Sequence, residues 1–66
     1  IPKSTLHIEA TGKIDIIENS KYLSSQSYSN NITLYVLISE DNDDLNEILN
    51  MIKDTKLIQS YNFIRI

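Results

Sequence analysis

Apolar and polar residues alternate with period two through Thr5-Leu6-His7-Ile8-Glu9-Ala10-Thr11. This is the pattern of a half-buried strand, with Leu6, Ile8 and Ala10 inward and His7 and Glu9 outward. Gly12, the only glycine, ends it; a glycine there takes φ > 0 or permits close approach of the backbone. A second strand runs from Ile32 to Ile38, with Ile32, Leu34, Val36 and Ile38 on one face and Thr33, Tyr35 and Leu37 on the other. The period then changes. Leu45, Ile48, Leu49 and Ile52 recur at i, i+3, i+4 and i+7, the buried stripe of an amphipathic helix. Glu40-Asp41-Asn42-Asp43-Asp44 opens that helix, since Asp and Asn are good N-caps and carboxylates favour the positive end of the helix dipole. Lys53 and Lys56 are expected in its last turn, where cations are favoured. Leu57 to Ile66, with Tyr61, Phe63, Ile64 and Ile66, reads as a closing strand.

Residues 13 to 30 are less decided. As a helix, Ile14, Ile17 and Lys21 share one edge, with Ile16 and Leu23 on its flank. As a strand, Ile14 and Ile16 alternate with Lys13 and Asp15, making a hairpin back through Thr11-Gly12. The preferred reading is a short helix from about Ile14 to Leu23. Ser24 to Asn31 is polar and turn-rich, a loop or a weak edge strand. No internal repeat is visible.

Together these elements predict one α+β domain over residues 1–66 with a ferredoxin-like βαββαβ layout. Its first helix is short or its second strand missing, and its antiparallel sheet carries the helices on one face. On the other, open face Thr33, Tyr35 and Leu37 are expected, available to a partner sheet or a neighbouring domain.

Composition sharpens the expectation of a partner. A chain of 66 residues buries only about 60% of its unfolded surface, and such domains usually add disulfides, a metal or a partner subunit. There is no cysteine and a single histidine, so disulfides, thiolate metal sites and imidazole clusters are excluded, and no cofactor is expected. Burial against a second copy or a larger chain remains. The start at Ile1-Pro2, without Met or an apolar leader, reads as a processed or excised piece, with the cytoplasm as the expected compartment. No apolar run approaches the roughly 20 residues that span a bilayer. Net charge is −3, and Lys3, Lys13, Lys21, Lys53, Lys56 and Arg65 are scattered, which argues against nucleic acid.

Little in the chain points to catalysis. Asp41-Asn42-Asp43-Asp44 superficially resembles a calcium loop, but lacks the glycine at the sixth position and has Ile52 where a bidentate Glu belongs. A capped helix N-terminus explains it better. His7 has no Ser, Cys or carboxylate placed beside it by a known motif and reads as an outward strand residue. Asn31-Ile32-Thr33 matches a glycosylation sequon and is taken as chance. Tyr22, Tyr28, Tyr35, Tyr61 and Phe63 lack interleaved cations, so packing outweighs base stacking. No activated pair can be named, and the chain is not expected to be an enzyme.

Leu6-His7-Ile8-Glu9-Ala10, the turn Thr11-Gly12-Lys13, Ile16-Ile17 and Leu23-Ser24 resemble the opening of an ACT domain, of the type at the C-terminus of Rel/Spo stringent-response enzymes. Leu45-Asn46-Glu47-Ile48-Leu49-Asn50 and the closing strand resemble its second helix and last strand. Where the family usually has Asp-Arg-x-Gly-Leu-Leu, this chain has Gly12-Lys13-Ile14-Asp15-Ile16-Ile17, with Asp15 in place of the glycine. The resemblance implies a regulatory, amino-acid-binding or dimerisation domain that forms a homodimer or pairs with a domain of the same protein. It implies that Gly12, Lys13, Ile14 and Asp15 line the ligand site, Gly12 through free amides and Lys13 through its charge. A second resemblance, of Glu40-Asp41 through Ile48 and of Leu57-Ile58-Gln59-Ser60, is to subtilisin-type propeptides. That implies an intramolecular chaperone and inhibitor that sets its open sheet face against a serine protease. The last two strands are also similar to a small-subunit ribosomal protein of the S-six type, but arginine is scarce.

Overall fold

In the computed structural model, residues 3–65 are described. The elements are β1 (Ser4–Ala10), α1 (Asp15–Glu18), β2 (Leu23–Ser29), β3 (Ile32–Ser39), α2 (Asn42–Ile52) and β4 (Ile58–Ile64). The strands form one antiparallel sheet in the order β2-β3-β1-β4. This is a small α+β domain, compatible with a ferredoxin-like layout. Ile66, expected in the closing strand, lies outside the described residues, as do Ile1 and Pro2.

Strand β1 forms as its alternation requires. Leu6, Ile8 and Ala10 are buried, while His7 and Glu9 are exposed. Helix α2 lays Leu45, Ile48, Leu49 and Ile52 across β1 and β3, closing a core with Ile14, Ile17, Tyr35 and Leu37. Asp41 is its N-cap, its side chain accepting from the Asp43 N–H at 2.9 Å, with Asp43 and Asp44 in the first turn. Neither lysine lies in the last turn as expected: Lys53 is the C-cap residue and Lys56 falls beyond the helix.

The structure corrects the expected face of β3. Thr33, Tyr35 and Leu37 are buried on the helix side of the sheet, and Leu34 is exposed. The cause is register. Leu6 pairs with Leu37, Ile8 with Tyr35 and Ala10 with Thr33, and directly opposed residues share a face. The strand is apolar on both sides, so its own pattern leaves the choice open. The inward residues of β1 settle it.

The segment after Gly12 is also corrected. Instead of a helix from Ile14 to Leu23, α1 is a single turn of four residues. Ile14 and Ile17 enter the core, but Ile16 is exposed and no side chain caps the first turn. So short a helix gains little from its own hydrogen bonds. The backbone of the serine-rich segment pairs instead with β3, and β2 forms there as an exposed edge strand. Asn30 and Asn31 join β2 to β3 with φ of 53° and 66°, the geometry of a two-residue type I′ hairpin. The alternative hairpin through Thr11-Gly12 does not form.

Candidate functional site

The β1–α1 connection is held from both sides. The Thr11 N–H donates to the Leu57 carbonyl at 2.8 Å, and the Thr11 hydroxyl reaches the same oxygen at 3.3 Å. Gly12 lies against Leu57, so a Cβ added there would meet Leu57 Cδ2 at 3.3 Å. Its φ is not positive. Of the two reasons for a glycine at this position, close approach is the one that applies. Two residues further, the Ile14 N–H donates to the Tyr35 hydroxyl at 3.1 Å, which donates to Glu18 Oε2 at 2.5 Å. Burial, reinforced by the bond to Glu18, raises the Tyr35 phenol above its ordinary pKa.

Because α1 is only one turn long, it does not reach over the far half of β2. A cleft of about 320 Å³ is left there, lined by Thr11, Gly12, Lys13, Gln26, Tyr28 and Thr33. Gln26, Tyr28 and Thr33 are brought to the helix side of the sheet by register, Tyr28 opposite Thr33 and Gln26 opposite Tyr35. The exposed Tyr28 ring forms one wall, and its hydroxyl donates to Asn31 Oδ1 at 3.2 Å. The lining holds one cation, Lys13, and no carboxylate.

Of the residues expected to form a ligand site, Gly12 and Lys13 border this cleft. Ile14 is a core residue and Asp15 the exposed first residue of α1; neither lines it. Thr33, expected on the open face, lies here instead, while Tyr35 and Leu37 belong to the core. Sequence reading missed Gln26 and Tyr28. The signal available was Asn30-Asn31 between two runs of strand-forming residues, a two-residue turn that would have set Tyr28 opposite Thr33.

Elsewhere, His7 stands on the open sheet face opposite Val36 and Asn62. Among the described residues, no cluster of three His, Asp or Glu side chains is placed to hold a metal ion. No described helix is long and apolar enough to cross a membrane. Comparison with protein-family models, with curated proteins and with solved structures finds no match to this chain.

Proposed function

We propose that the chain is a non-catalytic regulatory domain of ACT-like type, which takes a small carboxylate-bearing molecule of the amino-acid class and works as a paired domain. The observation that carries the reading is the cleft beside Gly12 and Lys13, at the first loop, where the resemblance puts the ligand. The order β1-α1-β2-β3-α2-β4 with sheet order β2-β3-β1-β4 supports the ferredoxin-like form of the fold. Lys13 supplies the charge for a ligand carboxylate, and Gln26 and the Tyr28 hydroxyl supply neutral hydrogen-bonding groups. A cleft between a loop and an edge strand also suits regulation. A ligand that binds one arrangement of these two parts better than another shifts the population toward it.

The test is a thermal-unfolding screen of the chain against the proteinogenic amino acids at fixed protein concentration. A ligand at 100 times its Kd adds about 2.7 kcal/mol, a midpoint shift of several degrees for so small a domain. One selective amino acid raising the midpoint, with the shift lost in Lys13→Met, supports the reading. A cooperative melt that no amino acid moves overturns it.

A further inference from the structure

The sheet face turned away from the helices carries one aliphatic row among polar residues that are almost all uncharged. Ile32, Leu34, Val36 and Ile38 form a continuous aliphatic row along β3, a central strand, with Leu34 42% exposed. On one side lie Ser25, Ser27 and Ser29 of β2; on the other, Thr5, His7 and Glu9 of β1, with Ser60, Asn62 and Ile64 of β4 beyond. Glu9 is the only Asp, Glu, Lys or Arg in any of the four strands. The carboxylates gather elsewhere, on α1 and around α2 at Asp41, Asp43, Asp44 and Glu47.

We propose that this face binds a second copy of the chain, sheet against sheet, with the two β3 rows antiparallel across a two-fold axis between Leu34 and Val36. The inference deepens the paired-domain reading by naming its surface. Three observations carry it. First, charge selects the occupant. Two copies of a chain with net charge −3 repel through their helical sides, and the open face is the surface on which they meet almost without charge. Second, the area suffices. Four strands about 4.8 Å apart and seven residues at about 3.3 Å each give a footprint of roughly 19 by 23 Å. Two such faces together remove roughly 900 Å², the size of a weak, reversible interface. Third, the relief fits. A depression of about 230 Å³ between β1 and β3 is lined by His7, Ile8, Glu9, Leu34, Tyr35 and Val36, with the exposed Leu34 in its wall. An isologous contact seats Leu34 of each copy toward the depression of the other.

The direction of the axis follows from matching like with like. An axis parallel to the strands through the middle of the sheet would set the aliphatic row on the Thr5, His7 and Glu9 of the other copy, and one moved over β3 would leave β4 uncovered. An axis across the strands sets row on row, with Leu34 facing Val36 of the other copy, and buries more apolar surface.

Sedimentation velocity of the chain from micromolar to submillimolar concentration tests this. The expected result is a reversible dimer whose Kd rises about tenfold or more in Leu34→Asp and in Val36→Lys, and is unchanged in Met51→Asp on the exposed side of α2. Mixing Leu34→Asp chains with Val36→Lys chains should restore pairing, because the two new charges then face each other. Circular-dichroism melts of each variant separate lost pairing from lost folding. A wild-type chain that stays monomeric, including one that pairs only with a different protein, overturns the proposal. So does a dimer that Leu34→Asp leaves intact, as edge-to-edge pairing through β2 would be, or one that the mixture fails to restore. Each outcome is independent of the amino-acid screen, so failure of the face and failure of the cleft are distinguishable.

Discussion

Tyr35 and Glu18 are joined by a 2.5 Å hydrogen bond that locks the middle of β3 to the single turn of α1. The same phenol accepts from the buried Ile14 N–H, so one oxygen satisfies two groups at the point where the chain leaves the sheet. Tyr35→Phe keeps the ring and removes both bonds. An unpaired buried donor costs about 1–3 kcal/mol, and urea unfolding should show a loss in that range.

The Tyr35 phenol also sets a pH dependence. Its pKa is raised in the folded chain by burial and by the bond to Glu18. Below the unfolded pKa of about 10 both states hold the proton, and the contribution to stability is complete. As the pH rises above that value the unfolded chain loses its proton first, so this contribution falls toward the folded pKa. Stability measured between neutral pH and strongly alkaline solution should therefore decline, and Tyr35→Phe should remove part of the decline. An identical alkaline slope in both proteins would reject the linkage.

How the face of β3 is chosen shows what the sequence can and cannot reveal. The stripe Leu45, Ile48, Leu49, Ile52 has a single period and one apolar side, so α2 was legible, as was β1 from Leu6, Ile8 and Ala10. Strand β3 was legible as a strand only. With Leu34 and Val36 on one side and Tyr35 and Leu37 on the other, local pattern does not tell inside from outside. That information resides in pairing, Leu6 with Leu37 and Ile8 with Tyr35, and in a phenol that finds Glu18. The candidate site was half legible for the same reason. Gly12 and Lys13 are set by the end of β1, whereas Gln26 and Tyr28 reach the cleft only through the register of a serine-rich strand with no apolar face of its own.

The hairpin that sets this register should respond to its turn residues. Asn31 holds φ of 66°, which costs a β-branched residue heavily and glycine nothing. Asn31→Gly gives the favoured Asn-Gly sequence and should stabilise the chain by a few tenths of a kcal/mol, whereas Asn31→Val should destabilise it by about 1–2 kcal/mol. Equal melting of the two variants would exclude the type I′ geometry.

Gly12 should behave differently, since its φ is not positive and only Leu57 crowds it. The Leu57 side chain is 38% exposed and can move aside, so Gly12→Ala should change stability by less than about 1 kcal/mol. Loss of several kcal/mol in a denaturant titration would mean that the β1–α1 loop tolerates no such movement.

Lys13 separates ligand recognition from folding. It is exposed, and exposed substitutions away from caps and cores usually change stability by no more than about 0.5 kcal/mol. Lys13→Met should therefore melt like the parent chain. Removing its charge-assisted bond to a ligand carboxylate should weaken binding by about tenfold, read by calorimetry with the amino acid that the thermal screen selects. Binding to the parent chain should also weaken with added salt, because the cation is in solvent and screened, while binding to Lys13→Met should depend less on salt. If both proteins bound the ligand equally at every ionic strength, the carboxylate would be held elsewhere, and the assignment of Lys13 would fail even if the cleft proved to be the site.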